Sequence, residues 1–225
     1  MKKIVVALTV LAVSFGHAQT RGGYDISNVG SGQVFDLGRK ANAKENVNGS
    51  PYFVETYLPV KLSTFEDENI LVRYNAADDE MEFNKGGQLY YIPKSDDLKI
   101  KFLNSGKEYH YTPYTDKGHA TSGYLVLLSE NKKVSLYKKE QIRFVPAKEA
   151  TNSYDLGRPA EYKKSDEAFF IEINGTIENF PKNRKELLRK FSDKEKEVAQ
   201  FVKQNKTSFS READLIELTK FLNNL

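Results

Sequence analysis

The spacing of apolar residues along this chain changes once, near Pro181, and that change limits the folds that the sequence can adopt. Upstream, apolar and polar residues alternate, as in residues 70–93, where Ile70, Val72 and Tyr74 fall on one side of an extended segment. Such alternation is typical of β-strands with one buried face. Downstream, apolar residues recur about every 3.6 positions, the repeat of an α-helix. The sequence therefore predicts an α+β protein with its strands first and its helices last.

Turn signals divide residues 49–180 into many short strands. Asn174-Gly175 separates two alternating runs, and this dipeptide is typical of a two-residue type I′ hairpin turn. Residues 123–129 are continuously apolar, which indicates a central strand covered on both faces. Pro59 indicates a strand end or an edge strand, and residues 113–118 are interpreted as a polar loop. We expect an antiparallel sheet of about 8 to 10 strands, curved or barrel-like.

Residues 181–225 contain three short stretches with helical spacing. Leu187 and Leu188 belong to the first, and a capping-box sequence that begins at Ser192 predicts the start of the second. Ser210 is expected to cap the third, which carries a broad apolar stripe. Because such stripes need an apolar surface to cover, we expect two to three helices packed on the β domain.

Residues 1–18 have the features of a secretory signal peptide. Lys2 and Lys3 precede an apolar run that is shorter than the roughly 20 residues needed to span a bilayer. Small residues that end at Ala18 supply a cleavage site. We therefore expect export to the periplasm or the exterior, with no later transmembrane segment and, for want of a cysteine, no lipid anchor. Residues 19–48, rich in glycine and asparagine, are interpreted as an extended arm.

Composition excludes several classes of function. The chain has no cysteine, so it can form neither a disulfide nor a thiolate metal site. Removal of Lys2 and Lys3 lowers the formal net charge from +3 to +1, and a near-neutral protein lacks the basic footprint of a nucleic-acid binder. Other lysines could attract a polyanion, although lysines at strand ends commonly protect exposed sheet edges. They come in pairs at residues 132–133, 138–139 and 163–164.

Acidic residues are densest at Asp78-Asp79-Glu80, with Glu82 close behind. A calcium loop or a carboxylate pair for acid–base catalysis is one interpretation, but the D-x-D-x-D-G spacing of a calcium loop is missing. In a strand, Glu80 and Glu82 share one face while Asp79 lies on the other, so the carboxylates do not converge. We therefore interpret the group as a solvated hairpin turn and predict no metal site.

Only His110 and His119 remain after signal cleavage, and their spacing matches no zinc motif. His110 could act as a general base if a carboxylate such as Asp116 activated it, although a histidine on a polar strand face is commoner. No G-x-S-x-G, P-loop or dinucleotide motif occurs, and Gly30-Ser31-Gly32 is only a fragment of one. We predict no cofactor and no catalytic residue, which leaves enzymatic activity open with a preference against it.

Tyrosines supply the remaining candidates for a binding site. Five of them cluster around two predicted hairpins and could stack on a sugar or line an apolar pocket. Packing between neighbouring strands explains these side chains as well. The candidate ligand-binding residues within this group are Tyr91, Tyr109 and Tyr111, with Tyr90 and Tyr114 nearby.

Three segments form an ordered pattern: Gly49-Ser50-Pro51-Tyr52, Val72-Arg73-Tyr74-Asn75 and Asp79-Glu80-Met81-Glu82-Phe83. Together with a tyrosine-rich strand region and a lysine-rich helical tail, the pattern resembles that of a group of exported Bacteroidota proteins. The resemblance covers most of residues 49–205. It implies export, but it implies neither a catalytic residue nor an activity.

These observations leave three hypotheses about function. We expect an exported, non-enzymatic periplasmic or surface module that binds an envelope protein or a small apolar or sugar ligand. The first alternative is a carrier of lipids or other apolar ligands, in which the C-terminal helices form a lid. The second is a hydrolase that uses Asp79, Glu82 or His110.

Overall fold

The computed structural model describes residues 25–28, 33–36, 47–63, 65–150 and 156–225, with only the backbone described for residues 25–28, 33–36 and 65–69. The predicted signal peptide, most of the predicted arm and the Gly30-Ser31-Gly32 fragment lie outside these residues. The boundaries predicted for those segments therefore stay predictions.

The described residues form fourteen strands, followed by three α-helices and one 3-10 turn. The strands are β1 (Asp25–Asn28), β2 (Gln33–Asp36), β3 (Leu58–Leu62), β4 (Phe65–Asn75), β5 (Glu80–Lys85), β6 (Gln88–Tyr91), β7 (Lys99–Phe102), β8 (Glu108–Asp116), β9 (His119–Ser129), β10 (Val134–Lys139), β11 (Ile142–Val145), β12 (Glu161–Lys164), β13 (Ala168–Ile173) and β14 (Thr176–Asn179). The helices are α1 (Arg184–Lys190), α2 (Glu195–Gln204) and α3 (Glu212–Asn223), and the 3-10 turn is Ser192–Lys194.

Ten strands form one sheet, in the order β14-β13-β10-β9-β8-β7-β3-β4-β5-β6. Thr115 of β8 also pairs with Glu178 of β14, in parallel, which closes β8, β9, β10, β13 and β14 into a five-stranded barrel. The other five strands continue from β8 as an extension, and β1–β2 and β11–β12 form two separate pairs. The predicted α+β architecture, a barrel-like antiparallel sheet followed by helices, is confirmed.

Three local predictions about the strands are confirmed and one is wrong. Asn174 and Gly175 have φ values of 52° and 76°, as a type I′ turn requires. The apolar run at residues 123–129 belongs to β9, which pairs on both sides. Residues 113–116, predicted as part of a loop, instead extend β8. Pro59 lies near the start of β3 as predicted, but β3 lies between β4 and β7 and not at an edge.

Apolar side chains from all five barrel strands meet inside the barrel, where Leu125, Tyr137, Phe170 and Ile177 pack with Tyr114. The helices cover the outer face of β10 and β13 through a second cluster, and a third cluster fills the space between the extension and β8–β9. The helix side chains that are fully buried in the second cluster are Leu187, Val198, Leu215 and Leu218. Each such side chain contributes roughly 1.5–3 kcal/mol, so the helices belong to the core of the fold.

Helices α2 and α3 begin after N-cap residues other than the predicted ones. Ser192 begins the 3-10 turn and does not cap α2, whose N-cap residue is Lys194. Arg211 and not Ser210 is the N-cap of α3, and its side chain makes no capping hydrogen bond. At α1, Asn183 accepts a hydrogen bond from the backbone N–H of Glu186 at 3.0 Å.

Within the described residues, none of the helices is both long enough and apolar enough to cross a membrane.

Candidate functional site

The carboxylate of Glu82 is fully buried and is held by three donors. Arg73 Nε donates to Oε2 at 2.9 Å, the hydroxyl of Tyr52 donates to the same oxygen at 2.8 Å, and Asn75 Nδ2 donates to Oε1 at 2.9 Å. The guanidinium group of Arg73 also lies 3.9 Å from the centre of the Tyr52 ring and 4.5 Å from that of Tyr57. A buried carboxylate is tolerated only when it is paired in this way. The network fastens residues 52–57 to the β4–β5 hairpin.

Asp79, whose side chain is 26% exposed, forms a second, partly buried network next to the barrel. It occupies a left-handed turn conformation with φ of 57°, and its Oδ1 lies 2.6 Å from Lys139 Nζ. The hydroxyl of Tyr74 donates to the same oxygen, and Lys139 also donates to the carbonyl oxygen of Tyr124 at 3.0 Å. A Cβ atom at Gly123 would lie only 2.4 Å from Asp79 Oδ2. Glycine is therefore needed where β9 passes this carboxylate.

The interpretation of the acidic group as a solvated turn is wrong for Asp79 and Glu82. Asp78 is exposed, but Glu80 pairs with Lys94 at 2.8 Å and the other two carboxylates join the two networks. Their partners come from β4, β10 and the segment before β3, which the local sequence cannot indicate. The acidic residues fasten strands together.

The same networks explain the three-segment pattern. Tyr52, Arg73 and Asn75 hold Glu82, while Tyr74 holds Asp79. The first segment adds Gly49, where φ is 79° and a Cβ atom would lie 2.8 Å from a backbone carbonyl oxygen. The polar residues of the pattern therefore have structural roles.

Burial sets the protonation of groups in these networks. Burial and the neighbouring Asp79 carboxylate raise the pKa of Tyr74 well above its ordinary value. Burial and the carboxylate of Glu140, which accepts a hydrogen bond from Tyr109, raise the pKa of Tyr109 in the same way. Burial lowers the pKa of Lys139, although Asp79 opposes this effect. The phenols are therefore neutral donors at physiological pH.

His110 is buried in β8, where its Nε2 lies 2.7 Å from Glu108 Oε1. Its Nδ1 lies 3.5 Å from the hydroxyl oxygen of Tyr137 inside the barrel. Asp116, the carboxylate expected to activate it, lies at the opposite end of β8 and accepts a hydrogen bond from a side chain of β14. His119 is exposed at the start of β9. The structure therefore places His110 near neither Asp116 nor His119, although Asp116 and His119 are register partners across the β8–β9 turn.

The candidate ligand-binding tyrosines are parts of the core of the extension. Tyr91 is buried at the end of β6. Tyr109 is buried as well and lines a small cavity of about 50 Å³. Tyr111 is half-buried and packs edge-on against Tyr124, with ring centres 5.2 Å apart. The alternative role, packing between strands, is present here, and ligand binding by these residues stays a prediction.

A polar cleft of about 470 Å³ lies at the end of the barrel where β8 and β14 finish and β13 begins. Its base includes the buried rings of Phe169 and Phe180. Its walls come from the β8–β9 turn, the β10–β11 and β12–β13 connections, and the segment before α1. The polar residues that line it are Asp116, Lys117, Gln141, Arg143, Ser165, Asp166, Glu167, Asn179 and Lys182.

Ser165 is the unusual residue of this cleft. Its Oγ atom is buried and has no hydrogen-bond partner among the described residues, while its backbone N–H donates to the carbonyl oxygen of Gln141 at 2.9 Å. Tyr124 is the other described residue with such an atom, and it lies in the core of the extension. A buried hydroxyl without a partner costs about 1–3 kcal/mol, so its position beside a cleft calls for an explanation.

Three cations surround the cleft: Lys117, Arg143 and Lys182. Each is exposed, and none forms an ion pair within the part of the chain that the structure describes. They come from the β8–β9 turn, from β11 and from the segment before α1, which lie far apart in sequence. Positive charge therefore converges on this cleft from several sides.

The carboxylates of the cleft are less available than its cations. Asp116 accepts a hydrogen bond from Asn179 at 2.9 Å, and Glu167 lies 3.4 Å from Lys138. Asp166 is exposed and forms no ion pair among the described residues. The Asn179 amide is neutral and leaves the charge of Asp116 in place, whereas Lys138 offsets that of Glu167. Three cations and two uncompensated carboxylates therefore line the cleft, which is a small excess of positive charge.

The sequence reasoning did not identify Arg143, Ser165 or Lys182 as site residues. No motif marks them. Arg143 lies in the short strand β11 and the other two lie in connections, and closure of the barrel sets the neighbours of all three in space. No group of three or more acidic or histidine side chains that could hold a metal ion occurs within residues 47–63, 70–150 and 156–225.

Comparisons of this chain with protein families, with curated proteins and with solved structures each found no significant match. The assignment of function therefore depends on the site itself.

Proposed function

We propose that this protein is an exported, non-enzymatic binding module that holds a small anionic ligand in the cleft at the end of its barrel. The observation that carries the proposal is the buried Ser165 hydroxyl, which lacks a partner and lies beside three unpaired cations. A turn of the Ser165 side chain toward the cleft would bring the hydroxyl to a ligand oxygen, and a hydrogen bond to that oxygen would remove the desolvation cost. Arg143, Lys117 and Lys182 would supply the charge that selects an anion.

Export is supported by the sequence features of residues 1–18 and by the resemblance to exported proteins. The absence of cysteine is compatible with export because a domain of this size can be held by its core alone.

The two other hypotheses have less support. The apolar stripe expected to form a lid packs instead against the outer face of the barrel, where Leu215 and Leu218 are fully buried. The residues considered for hydrolysis are Asp79, Glu82 and His110, and each is held by neighbouring side chains outside the lining of the cleft.

The proposal is tested by calorimetric titration of the mature protein with galacturonate and with galactose, two sugars that differ in one carboxylate. We expect binding of galacturonate and none of galactose, and we include citrate and phosphate to cover other small anions. Ser165→Ala should weaken the binding of whichever anion binds by about tenfold, since it removes one hydrogen bond to a charged group.

Arg143→Gln should weaken the same binding by about tenfold or more. Lys61→Gln, which removes an exposed cation from β3 outside the lining of the cleft, is the matched control and should leave the affinity unchanged. Equal affinity for galactose and galacturonate, or equal losses in Arg143→Gln and Lys61→Gln, would contradict the proposal.

A further inference from the structure

A second depression adjoins the cleft along α1 and the 3-10 turn. It is a shallow surface groove of about 740 Å³. Its lining residues are Arg184, Lys185, Leu188, Arg189, Ser192 and Glu195. Lys182 lines the cleft and Arg184 lines the groove, so only Asn183 separates the two depressions along the chain. The two linings thus contain residues two positions apart in the chain, which places the groove within reach of a ligand longer than one unit.

The groove continues the positive charge of the cleft. Arg184, Lys185 and Arg189 are exposed, and none of them forms an ion pair with a described residue. Of the acidic residues close by, Glu195 lines the groove, whereas Glu186 accepts hydrogen bonds at the start of α1. Within the lining of the groove, three cations therefore face one carboxylate.

Helix stability does not account for all of these cations. Arg189 lies in the last turn of α1, where a positive charge is favourable, but Arg184 and Lys185 lie in the first turn, where it opposes the helix dipole. Protection of a sheet edge does not apply on a helix. An anion from outside the chain would give these two residues a favourable electrostatic interaction.

We propose that the ligand is a linear acidic oligosaccharide, with one unit in the cleft and the following units along the groove beside α1. This inference rests on the proposed function of the cleft. Such a chain carries one carboxylate on each unit, and cations line both depressions. Arg143 and Lys182 line the cleft, and Arg184 and Arg189 line the groove. Leu188 and Phe209 offer apolar surface to the C–H faces of sugar rings.

Other linear anions fit less well. Single-stranded nucleic acid is usually held by aromatic rings on which the bases stack, and the lining of the groove contains no aromatic side chain. Inorganic polyphosphate would leave the apolar surfaces of Leu188 and Phe209 without a partner. Acidic sugars combine charge and apolar faces in one repeating unit.

The test is a titration of the mature protein with galacturonate oligomers of one, two, four and six units. We expect the affinity to rise with length. The triple variant Arg184→Gln, Lys185→Gln and Arg189→Gln should reduce the affinity for the hexamer by roughly tenfold or more. It should leave the affinity for the monomer unchanged.

Two controls accompany this series. The first is the methyl-esterified hexamer, which has the same length without the negative charge and should not bind. The second is the triple variant Lys61→Gln, Lys99→Gln and Lys101→Gln, which removes three exposed cations from β3 and β7 and should bind the hexamer as the parent protein does.

The possible outcomes separate this inference from the function on which it rests. Binding of the monomer with no gain for the hexamer would overturn the oligosaccharide and leave the anion-binding cleft in place. No binding of any small anion would overturn both. Equal affinity for polyphosphate or single-stranded DNA of similar length, with the same loss in the α1 variant, would overturn the assignment to a saccharide.

Discussion

Two polar regions of this molecule differ in whether their polar groups have partners within the fold. At the β4–β5 hairpin, the carboxylates of Glu82 and Asp79 are each surrounded by donors. At the end of the barrel, Ser165 has a buried hydroxyl without a partner, and the cations around it form no ion pairs among the described residues. The groups of the first region already have partners, whereas those of the second would gain hydrogen bonds and ion pairs from the anion that we propose. Polar residues that stabilise the fold are thereby distinguished from those available for binding.

The largest expected difference between the two regions appears at alkaline pH. The pKa values of Tyr74 and Tyr109 are raised in the folded protein, so the unfolded chain loses these protons first as the pH rises above about 10. The stabilisation that these raised pKa values represent is fully present below about pH 10. Above it, the free energy of unfolding should fall by about 1.4 kcal/mol per pH unit for each such phenol.

Urea unfolding between pH 8 and 11.5, with absorbance at 295 nm to follow phenolate formation, measures this effect. Tyr109→Phe should show a shallower fall than the parent protein. The lining of the cleft contains no tyrosine among the described residues, so the titration should act through the buried tyrosines of the extension and of the barrel, where the pKa of Tyr137 is raised as well. Ionisation of all tyrosines near pH 10 in a chain with native circular dichroism would contradict the prediction.

Removal of the cation of the Glu82 network should have the next largest effect. Arg73→Met leaves Glu82, whose side chain is only 1% exposed, without its ion-pair partner. We expect a loss of about 3–5 kcal/mol in the free energy of unfolding, measured by urea titration at pH 7.5. Arg143→Met, which removes an exposed cation from the cleft, is the matched control and should cost less than about 0.5 kcal/mol. Equal losses in the two variants would remove the distinction between the regions.

Gly123→Ala should destabilise by about 1–3 kcal/mol, because the added methyl group would collide with the carboxylate of Asp79. Asp79→Gly removes that carboxylate and suits the left-handed backbone at this position. In the Asp79→Gly background, the Gly123→Ala substitution should therefore cost much less. The four proteins form a double-mutant cycle, and strictly additive losses would show that the close approach does not matter.

Ser165→Ala should have the smallest effect on stability, and in the favourable direction. Removal of an unpartnered buried hydroxyl is expected to leave the free energy of unfolding unchanged or to raise it by up to about 1 kcal/mol. Ser135 is the matched control, since it is buried and its hydroxyl donates to the carbonyl oxygen of Asn131 at 3.3 Å. Ser135→Ala should lose about 1 kcal/mol. A loss of that size in Ser165→Ala would indicate that its hydroxyl has a structural partner.

The sequence predicted those parts of the fold that depend on neighbouring residues. The turn at Asn174-Gly175 and the change of period near Pro181 are local signals, and both correspond to the structure. Closure of the barrel depends on one pairing between Thr115 and Glu178, which lie far apart in the chain. Alternation tells which residues share a face of a strand, but not which strand lies beside it.

The same reasoning explains why the site was not predicted. Glu82 lies in an acidic run that is typical of a solvated turn, and only its contact with Arg73 and Tyr52 shows otherwise. Ser165 is an ordinary serine in a polar connection, and its lack of a partner exists only in three dimensions.

Strand β8 belongs to both the barrel and the extension, and this shared position couples the formation of the two. His110 and Tyr114 lie on the side that faces the barrel interior, whereas Tyr109 and Tyr111 lie on the side that packs with the extension. A register slip of one residue would exchange the β8 side chains on the two faces and disrupt the packing of both cores. The barrel and the extension are therefore expected to gain and lose their structure cooperatively, as one folding unit.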